Sequence, residues 1–171
     1  MTVVRLNQSH REAFLRMLAD YDANDPSPGK SYTPGGHNYV AYLQSLEDEE
    51  NGIDLPENYV PCSHRWLLDD AGDICGIVRT RHNVDLPHLF DEVGHIGYDV
   101  PPAKRGNGYA ILSLQAGLQS AREVGLTKVI VHCNDANPPS WRTIERCGGI
   151  LERTFWSNYW NCNVRRYWIE L

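Results

Sequence analysis

The segment PPAKRGNGYAILSL, residues 101–114, combines residue types that could hold a phosphate. Two prolines stop a strand that ends at Val100, and a Gly-containing loop then opens directly into an amphipathic helix. Gly106 and Gly108 permit backbone conformations and close approaches that a Cβ would hinder. A helix start presents unpaired N–H groups at the positive end of a dipole, which suits an anion. Lys104 and Arg105 add positive charge at the same place. A P-loop needs Gly-Lys-Ser/Thr after its glycines, whereas Tyr109-Ala110 follows Gly108. A dinucleotide fingerprint needs a third glycine where Ile111 stands, early in a βαβ unit. The pattern left is Arg-x-x-Gly-x-Ala, read at Arg105, Gly108 and Ala110, set against the plainer reading of a turn with a helix cap.

The surrounding elements must position that loop. Residues 2–7 predict a short strand, and Ser9 stands where a cap belongs before the stripe Phe14, Met17, Leu18 and Tyr21. The Pro/Gly/Ser-rich stretch 24–36 predicts a loop, and a helix follows from about Asn38 to Glu50. His64–Leu68 and Ile74–Arg81 predict a hairpin around DDAGD, residues 69–73. A strand over 95–100 leads into the loop, and a helix over 108–124 ends at Gly125. Val129–His132 reads as a buried strand, residues 138–147 as a helix ending at Gly148-Gly149, and the tail as a last antiparallel pair. A mixed α/β sheet with helices packed on it follows.

Composition narrows the function. A chain of 171 residues with 42% hydrophobic and 22% charged content fits one domain with its own core. The first thirty residues hold Arg5, Arg11, Arg16 and Asp20 without an apolar run, which argues against a signal peptide. No apolar stretch approaches the roughly 18–20 residues that span a bilayer, so no membrane partner is expected. Five cysteines without a CxxC pair argue against a disulfide framework and a metal site, and favour the cytoplasm. A net charge of −6 argues against nucleic acid and is compatible with a cationic partner.

Arg-x-x-Gly-x-Ala resembles the pyrophosphate-binding signature (Gln/Arg-x-x-Gly-x-Gly/Ala) of the GNAT superfamily of N-acetyltransferases, which uses coenzyme A. The context extends the resemblance over residues 94–149: Val100 at the end of a fourth strand, a fifth strand over 127–132, the step Asn137-Pro-Pro-Ser140 opening a helix, and Gly148-Gly149. The resemblance implies an α/β (α+β) fold over residues 1–171, a mixed, mostly antiparallel sheet of about seven strands flanked by about four helices. It implies acetyl-CoA as cosubstrate, no metal, and transfer to a small-molecule or peptide amine. A homodimer is compatible with it.

The resemblance also assigns roles. The backbone of Tyr98, Asp99 and Val100 would pair with the pantetheine arm. The amides of Arg105, Gly106, Asn107, Gly108, Tyr109 and Ala110 would hold the pyrophosphate. Asn137 and Ser140 would lie along the cofactor arm, with a helix start as the alternative role for Asn137. Many relatives place a Tyr four residues after the Ser, where it protonates the departing thiolate; Ile144 stands there, leaving Ser140, Tyr98 or water to act. His95 and Glu92 lie near the strand where some relatives place a base for the substrate ammonium. The acceptor pocket would come from residues 20–63 and the final hairpin, with Tyr21, Asp22, Tyr32, Tyr39, Trp156 and Tyr159 as wall or core. The acidic run LEDEE, residues 46–50, reads first as a solvated helix end. Ile144 keeps a second function open, a catalytically silent acyl-CoA-binding module.

Overall fold

In the computed structural model, which describes residues 1–171, the chain opens with β1 (Thr2–Val4). Asn7, not Ser9, is the cap: its side chain accepts from the Ser9 N–H at 2.9 Å and starts a short 3-10 turn. Helix α1 (Arg11–Asn24) buries Ala13, Phe14, Met17 and Tyr21 at helical spacing. The stretch expected as loop instead holds two short helices, α2 (Pro26–Gly29) and α3 (Thr33–His37). Pro26 and Pro34 fall in their first turns, where the missing N–H has no intrahelical partner to lose. Helix α4 (Tyr39–Asn51) starts at Asn38, which accepts from the Ala41 N–H at 3.1 Å.

Two sheets follow. Strands β2 (Cys62–Leu68), β3 (Ile74–Arg81) and β4 (Ile96–Asp99) join β1 in the antiparallel order β1-β2-β3-β4. A π turn over Leu89–Val93, unmarked in the sequence, leads into β4. After helix α5 (Tyr109–Glu123) come β5 (Lys128–Asn134), helix α6 (Pro138–Arg146), β6 (Ile150–Ser157) and β7 (Cys162–Glu170). The last three strands pair antiparallel in the order β5-β7-β6. Seven strands form the mixed fold as expected, divided four and three.

Period-two alternation in β3 separates two cores. Ile77 joins Phe14, Tyr42 and Trp66 beneath α1 and α4, while Val78 joins Leu114, Leu118 and Ile144 beneath α5 and α6. Each large side chain so buried contributes roughly 1.5–3 kcal/mol.

The two sheets meet at one bridge, between Gly94 and Val131. Gly94 has φ 80°, and a Cβ there would stand 2.6 Å from the Ile130 carbonyl oxygen. Beside it, the His95 N–H donates to the Ile130 carbonyl at 2.8 Å. Beyond this junction β4 and β5 share no ladder, so the edge of β4 from Ile96 to Asp99 is unpaired on that side.

Candidate functional site

The loop after β4 leaves a run of backbone amides free. Gly106 and Gly108 adopt φ of 80° and 81°, a left-handed conformation that side chains disfavour. The Asn107 side chain donates to the carbonyls of Lys104 and Arg105 at 3.1 and 3.0 Å, turning those oxygens inward. The amides of Gly106, Asn107, Gly108, Tyr109 and Ala110 donate to no group of the chain, and Gly106 to Gly108 are exposed. Five free N–H groups at the start of a fifteen-residue helix form a donor set that fits a pyrophosphate.

The positive charge expected beside the loop is committed elsewhere. Lys104 Nζ donates to Asp69 at 2.7 Å and Asp73 at 3.4 Å. Arg105 donates to the Val100 carbonyl at 3.1 Å and to Asp25 at 2.7 Å, and its N–H bonds to the Pro102 carbonyl. Arg105 therefore ties the end of β4 to the corner after α1. The donors left free in this loop are backbone amides from residue 106 onward.

Next to the unpaired edge of β4 lies a cavity of about 720 Å³. Its inner wall carries Tyr98, Asp99, Cys133, Asn134, Asn137 and Ser140, from β4, β5 and the start of α6. The Tyr98 hydroxyl lies 2.9 Å from Ser140 Oγ and 3.1 Å from the Ser140 carbonyl. Burial holds the Tyr98 phenol above its ordinary pKa, so it stays a proton donor. Asn137 caps α6, accepting from the Ser140 N–H at 3.3 Å, and also lines the cavity. The outer wall carries charge. Arg79 donates to Asp99 at 2.5 Å, and the Tyr32 hydroxyl donates to the same carboxylate oxygen at 2.6 Å. His64 Nε2 lies 2.8 Å from Glu49.

The family model for the acetyltransferase (GNAT) domain matches residues 1–150. The chain belongs to this family. No curated protein matches it by sequence. Among solved structures, the GNAT domain is similar to the ribosomal L7/L12 alpha-N-protein acetyltransferase RimL in complex with coenzyme A, at TM-score 0.69 and 15% identity, over 99% of this chain and 93% of that one. It is also similar to the self-immunity acetyltransferase MccE in complex with acetyl-CoA and AMP, at TM-score 0.69 and 15% identity, over 99% and 92%. A chimera of the spermidine N-acetyltransferase SpeG from Vibrio cholerae and hSSAT gives TM-score 0.63 and 18% identity, over 99% and 96%. At these identities the likeness is one of fold.

Within the GNAT domain, neither residue expected as a base reaches the cavity wall. His95 is 6% exposed, and its Nδ1 accepts from the Ile130 N–H at 2.9 Å. Burial and then Arg81 push its pKa down to about 4. His95 thus locks the junction of β4 and β5. The Glu92 carboxylate accepts from the Ser157 hydroxyl and from the Tyr159 N–H, and the Glu92 carbonyl accepts from Trp160 Nε1 at 2.8 Å. Glu92 therefore pins the β6–β7 turn. Ile144 is fully buried in the core beneath α6.

Of the aromatic candidates, Tyr32 and Tyr159 line the cavity, Tyr21 and Tyr39 lie in the core, and Trp156 is exposed. The acidic run is more than a solvated helix end, because Leu46 and Glu49 face the cavity while Glu50 holds Arg5 and Arg65 at 2.7 and 2.8 Å. Sequence reasoning missed His64, Arg79 and Arg81. A signal existed: they alternate along two paired, mostly apolar strands, where a polar residue at period two marks one face.

Proposed function

We propose that this chain transfers the acetyl group of acetyl-CoA to a primary amine of a small molecule or peptide by direct attack. The observation that carries this reading is the run of five free amides at residues 106–110, placed at the end of an unpaired strand edge that borders the cavity. Acetyl-CoA supplies the thioester when bound. Residues 106–110 would hold its pyrophosphate, and the open edge of Tyr98, Asp99 and Val100 would align its pantetheine arm like an added strand. The amine nitrogen forms a bond to the acetyl carbon, the carbon–sulfur bond breaks, and the nitrogen loses a proton. The Tyr98–Ser140 hydroxyl pair, on the cavity wall, would donate a proton to the leaving sulfur. Similar folds serve acceptors as different as spermidine and a ribosomal protein, so the fold leaves the acceptor open.

Calorimetry with CoA on wild type and Gly108→Val tests the site. Valine disfavours φ 81° and would rotate the adjoining amides away from a common anion. Each hydrogen bond to a charged group contributes about 1.5–3 kcal/mol, so affinity should drop roughly 10²-fold. Equal affinity would refute the assignment. Thiol release over an amine panel then separates transfer from silent binding: CoA binding with no release from any amine supports the binding module.

A further inference from the structure

Arg81 stands apart from the other cations of the site. It lies on the wall shared by the 720 Å³ cavity and a neighbouring one of about 330 Å³, together with Tyr59 and Tyr159. Its Nη1 donates to the Gly94 carbonyl at 3.2 Å, the one hydrogen bond of its side chain. No carboxylate pairs with it, whereas Arg79 pairs with Asp99 and His64 with Glu49. The other guanidinium nitrogens have no hydrogen-bond partner in the protein, and Arg81 lines both cavities. Burial lowers the proton affinity of Arg81, yet a guanidinium stays charged at any ordinary pH.

Glu49 and Asp99 are the only carboxylates on the larger cavity wall, facing the cationic groups of Arg79, Arg81 and His64. Glu49 lies 2.8 Å from His64 Nε2 and Asp99 lies 2.5 Å from the Arg79 guanidinium, so both carboxylates are already engaged. Arg81 is therefore the one guanidinium of the chamber without a carboxylate partner. Such a desolvated, unpaired cation is costly unless a ligand anion or water completes it.

We propose that the acceptor carries an anionic group, a carboxylate or phosphonate, besides its amine, and that Arg81 binds that group. The proposal rests on the acetyl-transfer reading. Arg81 is fixed at the end of β3 by its backbone pairing with Cys62 and by the Gly94 carbonyl, so its free donors keep a set direction. A planar guanidinium with two adjacent N–H groups matches a carboxylate in a two-point contact, which a diamine could not make. The fixed charge would also set the distance between the acceptor's anion and its reacting nitrogen.

The test compares acceptors that differ only in the charged group: free amino acids of increasing chain length, the matching aminoalkyl phosphonates, the carboxamides of the same amino acids, and a diamine. Thiol release from saturating acetyl-CoA is read for each. The carboxamide has the less basic amine, so more of it is deprotonated and intrinsic reactivity favours it. A preference for the acid would run against that bias. We expect the best acid or phosphonate to exceed its uncharged counterpart by roughly 10–100-fold in kcat/KM, the effect of one charged hydrogen-bonded contact. The carboxylate and phosphonate arms show which anion fits. In Arg81→Gln that ratio should collapse toward one, while Arg81→Lys keeps part of it.

A second readout needs no turnover. N-acetyl amino acids, the transfer products, should raise the melting temperature of the wild-type CoA complex more than their carboxamides do. That selectivity should vanish in Arg81→Gln. Selective stabilisation without transfer to any amine would sink the transfer reading and leave the anion site standing. Transfer that favours the diamine or the carboxamide would overturn the anion proposal and leave the transferase. Should Arg81→Gln fail to fold, the wild-type ratio alone decides: no preference for acids in turnover or melting overturns the proposal.

Discussion

In the proposed transfer, the acid's role passes from the family's usual position to the Tyr98–Ser140 pair. The family position for the thiolate's acid is Ile144, which lies in the core, but the Tyr98 hydroxyl reaches the start of the same helix from β4, 2.9 Å from Ser140 Oγ. A thiolate is a moderately good leaving group, so the proton it receives accelerates release without being indispensable. Tyr98→Phe should lower kcat by roughly tenfold, below the usual range for a general acid, and leave CoA affinity at the wild-type value. Unchanged kcat with a measurable chemical step would move that proton to water. At this scale the sequence was legible where function needs backbone: Gly106 and Gly108 point to a special loop whatever their neighbours are. It was opaque for charge. Arg105 reads as a phosphate ligand until the fold brings Asp25 within 2.7 Å, and nothing local to either residue signals that pairing across eighty positions.

Among the elements, α6 carries the clearest consequence. Its cap Asn137 and its prolines fix where it starts, and that start decides which residues face inward. Ile144 faces the core, with its Cγ2 only 2.5 Å from where a Cβ on Gly149 would stand. A Tyr at this position has to place a ring and a hydroxyl in filled space. Ile144→Tyr should destabilise the fold by about 1–3 kcal/mol, seen as a drop of several degrees in Tm, with no rise in turnover. A faster, equally stable variant would show that the side chain escapes into the cavity. The strands and long helices were legible because periods of two and 3.6 persist over many residues. The short helices α2 and α3 were not, because Pro and Gly mark a chain reversal equally well whether or not one helical turn forms inside it. The π turn at Leu89–Val93 carries no periodic signal, and it is this turn that sets both Glu92 against the β6–β7 turn and His95 against β5.

The whole molecule is two sheets joined at a single bridge, and the groups around that junction make its stability depend on pH. His95 holds β4 to β5 through its neutral ring, with Nδ1 accepting from the Ile130 N–H. Burial and then Arg81 lower its pKa to about 4; for His132 on β5, burial and then Arg166 lower it to about 4 as well. An unfolded histidine titrates near 6.5, so between those values the unfolded chain binds more protons and folding weakens as pH falls. From about pH 7.5 to about pH 5 each of the two should cost on the order of 2 kcal/mol. His64 has the opposite sign: its raised pKa gives stability that is complete below 6.5 and fades as pH rises, so it offsets part of the loss. The carboxylates held low, Glu50, Asp69, Asp73 and Glu92, lose their contributions only below their unfolded values and stay out of this window. Urea unfolding should therefore show a net loss of roughly 2–3 kcal/mol between the two pH values. His95→Asn isolates the cause, because its amide oxygen can accept from the Ile130 N–H near the place of Nδ1 yet cannot titrate. That variant should keep most of the wild-type stability at neutral pH, flatten the pH dependence by about 2 kcal/mol, and still transfer acetyl. An unchanged slope in His95→Asn would assign the acid sensitivity to other groups. A preserved fold with abolished transfer would return His95 to the role of base, against the geometry that buries it in the junction.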